Sequence, residues 1–100
     1  MPYKKWDEKD LLKKVSEDIS NNKIVAWFQG GSEFGPRALG HRSILADARN
    51  PNNKSILNDK VKHREEFRPF APVVPLENAE EWFQLNGHAS PFMLYSVLCN

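Results

Sequence analysis

The N-terminal segment alternates apolar and polar residues with the period of an amphipathic helix. Charged residues occupy one face, and the apolar residues recur at helical spacing on the other: Leu11, Leu12, Val15 and Ile19. Asp7 precedes this segment at the position of an N-cap, and Asn21 and Asn22 follow it as residues that commonly end helices. The pattern therefore predicts a first helix between Asp7 and Asn21.

The pattern changes at Ile24, where a continuous apolar run extends to Phe28. A short run of this kind is typical of a strand that is buried on both faces. Glycines at 30 and 31 interrupt it, and Pro36 suits the first position of a short helical turn over 37–39 that Gly40 would close. Residues 43–46 predict a second short strand.

The second half of the chain predicts two further helices and two extended segments. Asn50 and Pro51 are typical of a helix start, and apolar residues at 56, 57 and 61 would line one face of a helix running to about Glu65. An extended segment over 70–74 with prolines at its margins, a helix over 78–85 and a last strand over 91–98 complete the prediction. Four aromatic residues are expected in the core by spacing: Trp27, Phe28, Trp82 and Phe83.

Helices that alternate with strands predict an α/β fold with a mixed, α+β type of sheet. One hundred residues suffice for a single small domain, or for a fragment of a larger one. The last predicted strand ends two residues before the end of the chain, and a strand needs a neighbour. We therefore expect residues 1–100 to be one domain fragment whose remaining strands are missing.

Charge is unevenly distributed along the chain. Residues 1–30 carry six Lys against five acids, residues 31–70 carry eight Lys and Arg against five acids, and residues 71–100 carry three Glu and no Lys or Arg. A basic centre this modest fits a small polyphosphate ligand better than a long nucleic acid.

Several common features are missing from the sequence. The apolar runs are too short for a membrane helix, and the N-terminus lacks the apolar core of a signal peptide. Cys99 is the single cysteine, so it forms neither an internal disulfide nor a zinc site with other cysteines. We expect a cytoplasmic protein without a membrane partner.

All five arginines lie in the middle of the chain, between residues 37 and 68. Arginine presents a rigid fork of donors that matches phosphate and carboxylate two bonds at a time. The distribution predicts an anion site built from this part of the chain.

The first arginine block follows the predicted buried strand. The glycines at 30, 31 and 35 are either a phosphate cradle or a plain turn, and spacing alone favours the turn, because it matches neither common nucleotide-binding pattern. Arg37 and Arg42 would reach a phosphate beyond the strand ends, unless one of them pairs with Glu33.

The second block contains four cations: Lys60, Lys62, Arg64 and Arg68. Lys60 and Arg64 are four residues apart and would share a helix face. For Lys60 a solvated helix paired with nearby Glu residues is favoured. For Arg64 and Arg68 a binding role is favoured, because Arg68 lies among apolar residues, where an unpaired charge is costly.

Histidine and serine add two binding candidates. The three histidines show no metal-ligand spacing, so no metal site is predicted, but His63 lies inside the basic block and is placed to contact phosphate. Ser43 lacks the setting of a nucleophile and is better explained as a hydrogen-bond donor to a ligand.

Several long segments resemble the C-terminal domain of the nodulation-protein and antibiotic-biosynthesis carbamoyltransferases. They are Trp-Phe-Gln-Gly from Trp27, Glu-Phe-Gly-Pro-Arg-Ala-Leu-Gly from Glu33, Arg-Ser-Ile-Leu-Ala-Asp from Arg42, and Val-Lys-His-Arg-Glu-Glu-Phe-Arg-Pro-Phe-Ala-Pro from Val61. The resemblance covers residues 24–92 and implies a YrdC-like fold, of which this chain would be a truncated portion.

The resemblance also implies a chemistry. Domains of this kind use carbamoyl phosphate and ATP with Mg, release pyrophosphate and form carbamoyl-adenylate. An N-terminal domain with a kinase-like fold then passes the carbamoyl group to a hydroxyl of a small-molecule acceptor. By the motif match, the catalytic candidates are Arg37, Lys62, Arg64 and Arg68, and the substrate- and nucleotide-binding candidates are Gly35, Arg42, Ser43 and His63. The fragment alone is expected to be inactive.

Two other classes of function are open to the sequence. One is a YrdC-like module that binds RNA, which the near-neutral pI of 7.9 and the acidic last third disfavour. The other is a regulatory or docking domain without catalysis. It predicts that partner binding survives loss of Arg64 and Arg68, whereas the enzyme hypothesis predicts loss of phosphate affinity.

Overall fold

A computed structural model describes residues 2–100 of the chain. Three helices and two strands follow in the order α1, β1, β2, α2 and α3, with bounds Glu8–Ser20, Val25–Phe28, Arg42–Leu45, Asn53–Ile56 and Ala79–Trp82. A π-helical turn, Leu57–Val61, continues α2, and a 3₁₀ turn, Leu76–Asn78, precedes α3. The two strands pair antiparallel, with Val25 opposite Leu45 and Phe28 opposite Arg42.

Helix α1 forms where the apolar pattern predicts it. The Asp7 side chain accepts a hydrogen bond of 2.8 Å from the Asp10 backbone N–H, which confirms the N-cap. Asn22 has a φ of 64° and donates its backbone N–H to the Ile19 carbonyl, so a left-handed asparagine ends the helix as expected. A hydrogen bond from Lys14 lowers the pKa of Asp18 on the exposed face.

The prediction that the first strand is buried on both faces is wrong. Val25 and Trp27 are half-buried, whereas Ala26 is exposed and Phe28 is 76% exposed. A two-stranded antiparallel sheet has one face toward the rest of the fold and one toward solvent, so burial alternates along the strand. The observed class is therefore α+β with a small antiparallel sheet, rather than α/β with alternating strands.

The helical turn predicted over residues 37–39 is absent, and that segment is irregular, with a bend at Arg37. Side-chain hydrogen bonds to the backbone, described below, hold it in a loop instead. The helix after Asn50 is present but shorter than predicted. The Asn50 side chain accepts from the Asn52 N–H at 2.9 Å, and the helical segment ends at Val61 rather than near Glu65.

The last predicted strand, over residues 91–98, is also absent. Within residues 2–100 the C-terminal segment pairs only through one isolated antiparallel bridge between Phe83 and Cys99. A strand forms only where a neighbour supplies hydrogen-bond partners, and the apolar run finds none along most of its length. Helix α3 ends at Trp82, which is 59% exposed, so the prediction that Trp82 and Phe28 are core residues is wrong.

The core lies around α2. Leu57 and Ala79 are the buried hydrophobic residues among those described, and two buried asparagines accompany them, Asn53 and Asn58. The Asn53 side-chain N–H₂ donates to the Asn22 side-chain oxygen at 3.1 Å and to the Asp47 carbonyl at 2.8 Å. This amide therefore ties the end of α1 to the start of α2. No helix within residues 2–100 is long and apolar enough to cross a membrane.

Candidate anion site

Arg42, at the start of β2, binds the backbone of the loop that β1 leads into. Its Nη1 donates to the carbonyls of Gln29 at 2.6 Å and His41 at 2.9 Å, and its Nη2 donates to the Gly30 carbonyl at 2.9 Å. Its guanidinium also lies 3.3 Å from the centroid of the Phe28 ring. Three carbonyls and one aromatic face thus occupy this arginine, which explains the half-buried position of its long side chain.

Glu33 and Ser43 shape the same loop. One Glu33 carboxylate oxygen accepts from the backbone N–H groups of Leu39 at 2.7 Å and His41 at 3.3 Å, and Ser43 Oγ accepts from the Gly40 N–H at 3.0 Å. Glu33 therefore binds backbone amides. The ion pair between Glu33 and Arg37 or Arg42, an alternative that the sequence left open, does not form within the described residues. The Gly40 φ of 106° is open to glycine and strained for other residues.

Gly35 and Arg37 lie on the exposed part of this loop. Gly35 has a φ of 121°, so the turn there requires glycine. Within the described residues, Arg37 makes no hydrogen bond or ion pair to the protein. The loop therefore presents the long cationic side chain of Arg37 to solvent, whereas Arg42 and Ser43 hydrogen-bond to the backbone of the loop.

Replacing Arg42 with alanine is expected to destabilise the chain by about 1–2 kcal/mol, since three backbone carbonyls lose a charged donor at a half-exposed site. Urea unfolding measures the loss, and faster amide exchange at Gly40 and His41 locates it. Arg37→Ala in the same loop is the matched control, with no measurable change expected. Equal stability of the Arg42 variant and the unchanged protein would contradict this role.

The second arginine block is organised by Asn58, which is 1% exposed. Its side-chain oxygen accepts from Arg64 Nε at 2.8 Å, and its N–H₂ donates to the carbonyls of Arg68 at 3.0 Å and Glu66 at 3.3 Å. Its own carbonyl accepts from the Arg64 backbone N–H at 2.7 Å. The sequence pattern did not single out Asn58 as a site residue. The available signal was an amide beside Leu57 on the apolar side of a helix, which must find partners once it is buried.

The π-helical turn places the cations differently from a regular helix. The Lys62 N–H donates to the Leu57 carbonyl at 2.7 Å, an i to i+5 bond, and His63 follows with a φ of 51°. Arg64 therefore lies beyond the helix, and the prediction that Lys60 and Arg64 share a helix face is wrong. Both Lys60 and Lys62 are exposed.

An open hollow of ≈ 620 Å³ lies beside this turn, lined by Asp59, His63, Arg64, Glu65 and Arg68. Three of the predicted site residues, His63, Arg64 and Arg68, are thus brought together. The Arg64 guanidinium lies 4.6 Å from the centroid of Phe70, and Arg68 Nε forms an ion pair of 3.1 Å with Glu65. The Arg68 side chain is 53% exposed, so the expectation that it is embedded in apolar residues is wrong.

The two arginine blocks form separate structures. Within residues 2–100 no hydrogen bond or ion pair joins the loop over 29–43 to the segment over 58–70. Arg49, between them, is paired with Asp47 through an Nη2 to Oδ2 distance of 2.6 Å. Hydrogen bonds from the Arg49 side chain and backbone lower the pKa of Asp47 to about 2, and the same pairing raises the pKa of Arg49. This pair removes Arg49 from the candidate site.

The hollow has the chemistry of a site for an oxyanion. Arg64 Nε donates to Asn58, and Arg68 Nε pairs with Glu65. The terminal nitrogens of both arginines donate to no protein acceptor within the described residues. Two such forks match the oxygens of a phosphate group. No group of three or more potential metal ligands occurs within residues 2–100.

The chain is similar to known proteins over most of its length. A family model described as carbamoyltransferase C-terminus matches residues 16–100. The chain is 48% identical over 92% of its length to an uncharacterized protein of Synechocystis, and 49% identical over 88% of its length to nodulation protein NolNO of Sinorhizobium fredii. It is 43% identical over 81% of its length to 3'-hydroxymethylcephem-O-carbamoyltransferase of Streptomyces clavuligerus. The matched regions make up 15%, 13% and 15% of those three proteins, so the chain spans a small part of their length.

Proposed function

The chain belongs to the carbamoyltransferase C-terminal family, and from this premise we propose that it forms part of an ATP-dependent enzyme that transfers a carbamoyl group to a hydroxyl of a small molecule. The name of the Streptomyces relative describes O-carbamoylation of a small molecule, which supports this class of acceptor. The observation that carries the proposal is the hollow in which Arg64 and Arg68 present unused guanidinium forks beside His63.

The proposed reaction joins two polyanions, carbamoyl phosphate and ATP. Loss of inorganic phosphate from carbamoyl phosphate, with water, leaves carbamate. A carbamate oxygen attacks the α-phosphorus of ATP, and the bond to the departing pyrophosphate breaks, giving carbamoyl-adenylate. Arg64 and Arg68 bind phosphate oxygens in the hollow and offset the repulsion between the two substrates. Mg arrives with the nucleotide, and no side-chain nucleophile is required.

The first arginine block has a separate part in this proposal. Gly35 and Arg37 lie on an exposed loop, which suits contact with the longer triphosphate, and Arg42 and Ser43 hold that loop in shape. Lys62 is exposed and directly precedes His63 of the hollow in the chain, and we assign it a supporting positive charge. We assign carbamoyl phosphate to the second block and the nucleotide to the first.

The remainder of the reaction belongs to other parts of a longer enzyme. The matched regions are 13–15% of the three relatives described above, which supports a part-to-whole relation. We propose that a YrdC-like domain is completed by further chain, and that an N-terminal kinase-like domain reads the acceptor and receives the carbamoyl group. The chain alone is expected to bind anions and to release no pyrophosphate.

An NMR titration of the chain with carbamoyl phosphate, with and without Mg-ATP, tests the assignment. Carbamoyl phosphate should shift the amides of residues 63–68, and Mg-ATP should add shifts over 30–43, both more weakly at higher salt because the contacts are ionic. A matched titration with uncharged urea, which resembles the carbamoyl end alone, should shift neither block. A folded chain whose amides do not respond to either anion would contradict the proposal.

A further inference from the structure

Each arginine of the hollow is bound at its own Nε, and the two partners differ chemically. Arg68 Nε is bound by the Glu65 carboxylate, and Arg64 Nε is bound by the neutral Asn58 amide. A carboxylate offsets the charge of the guanidinium that it binds, whereas an amide does not. Arg64 is therefore the arginine of the hollow whose direct partner does not offset its charge.

Asn58 also fixes the direction of that charge. A guanidinium has one N–H at Nε and four at its two terminal nitrogens. Nε is bound to Asn58 at 2.8 Å and the guanidinium lies over the Phe70 ring, so the Arg64 side chain is held at two points. The end that remains is the pair of terminal nitrogens, and Arg64 lines the hollow.

The same amide shapes the segment that carries both arginines. Its two N–H bonds go to the carbonyls of Glu66 and Arg68, and its backbone carbonyl binds the Arg64 N–H. One buried residue thus connects the π-helical turn with the backbone of the following segment at three positions, two through its side chain and one through its carbonyl. Every donor of the amide is used, so the arrangement is specific for an asparagine of this length.

We propose that Asn58 is a positioning residue of the anion site, which directs the terminal nitrogens of Arg64 into the hollow without offsetting the arginine's charge. The inference rests on the proposed function in so far as the ligand is an anion. It goes beyond that function by assigning the orientation of Arg64 to a residue that touches no ligand. It explains why a buried polar group is kept where an apolar residue would fill a core position.

The experiment compares Asn58→Ala with Asn53→Ala, the second buried asparagine of the same helical segment. Asn53 binds Asn22 and the Asp47 carbonyl, away from the hollow, so its loss is a matched control for destabilisation alone. Two quantities are measured on folded protein: the affinity for carbamoyl phosphate and the Nε–Hε NMR signal of Arg64, which Arg64→Lys identifies.

We expect Asn58→Ala to weaken carbamoyl phosphate binding roughly tenfold. Loss of a residue that orients a metal ligand commonly lowers metal affinity about 10- to 100-fold, and we expect the lower end of that range here. The Arg64 Nε–H should lose its protection from solvent exchange and approach the behaviour of Arg37 in the exposed loop. Asn53→Ala should lower stability while leaving both quantities unchanged. Asn58→Asp should bind the anion at least as weakly as Asn58→Ala, because the new carboxylate pairs with Arg64.

The outcomes separate this inference from the proposed function. If the unchanged chain binds no anion, the proposed function fails for this chain, and the exchange of the Arg64 Nε–H still decides whether Asn58 holds the arginine. If Asn58→Ala does not fold, the test uses the unchanged protein. There, solvent exchange of the Arg64 Nε–H that is as fast as exchange of the Arg37 Nε–H overturns the inference. The inference is also overturned if a folded Asn58→Ala variant keeps both the anion affinity and the slow Arg64 Nε–H exchange of the unchanged protein.

Discussion

Replacing Arg64 with alanine is expected to weaken binding of carbamoyl phosphate roughly 10- to 100-fold. One charge-assisted hydrogen bond contributes about 1.5–3 kcal/mol, and each 1.4 kcal/mol is a factor of ten in affinity. Arg64 is held by a neutral amide, and within the described residues its terminal nitrogens bind no protein acceptor, so its loss removes a full charge from the hollow. Calorimetric titration at constant salt measures the change.

Three further variants sharpen this prediction. Arg68→Ala should weaken binding less than Arg64→Ala, because Glu65 already offsets part of the Arg68 charge. Arg64→Lys should recover part of the affinity by restoring charge without the two-pronged geometry. Arg49→Ala removes an equal charge from an arginine that is paired with Asp47, and it should leave affinity unchanged. An Arg64→Ala variant that binds as tightly as the unchanged protein would refute the placement of the anion in this hollow.

The sequence predicts those parts of the fold that depend on neighbouring residues. Helix α1 was predicted from apolar period and caps, and its Asp7 cap and left-handed Asn22 are both present. Strand β2 was predicted within one residue of its bounds, Arg42–Leu45. In each case the signals lie within a few residues of the element itself, so no knowledge of the rest of the fold is needed.

The errors concern segments whose conformation depends on distant partners. The run over 91–98 has the composition of a strand, but pairing is decided by a neighbour that composition does not specify. The segment over 37–39 has a good helix start, but the Glu33 carboxylate binds the N–H groups of Leu39 and His41 and keeps it in a loop. Local propensity is outweighed over 37–39 by a partner that the fold supplies, and over 91–98 by the lack of one along most of the run.

The candidate site divides in the same way. The arginine distribution predicted an anion site, and the structure groups Arg64, Arg68 and His63 at one hollow. It does not bring Arg37 and Arg42 to that hollow, because the two blocks fold as separate loops. Asn58 was not predicted, because one amide on the apolar side of a helix is a weak signal before its burial is known. Its importance comes from burial and from three side-chain hydrogen bonds that only the folded chain provides.

Replacing Leu57 with alanine is expected to lower the free energy of unfolding by about 2–5 kcal/mol, the usual cost of truncating a buried leucine. Leu57 is 6% exposed and is one of two buried hydrophobic residues among those described. A domain of this size is commonly stable by only about 5–15 kcal/mol, so the variant would lose a large share of its stability. Urea unfolding followed by tryptophan fluorescence measures the loss.

The stability lost in Leu57→Ala is also expected to affect the anion site, because Leu57 belongs to the turn that leads to Arg64. Leu57 precedes Asn58, and its carbonyl accepts the Lys62 N–H that closes the π-helical turn, so the packing of Leu57 supports the turn from which Arg64 emerges. Val61→Ala, at the end of the same turn but 38% exposed, is the matched control and should cost less than about 1 kcal/mol. Saturating carbamoyl phosphate should recover part of the stability of Leu57→Ala, since a ligand that binds only the folded state stabilises it. Equal losses for Leu57→Ala and Val61→Ala would mean that the core of this chain does not lie around α2, and would remove the structural basis for a rigid hollow beside it.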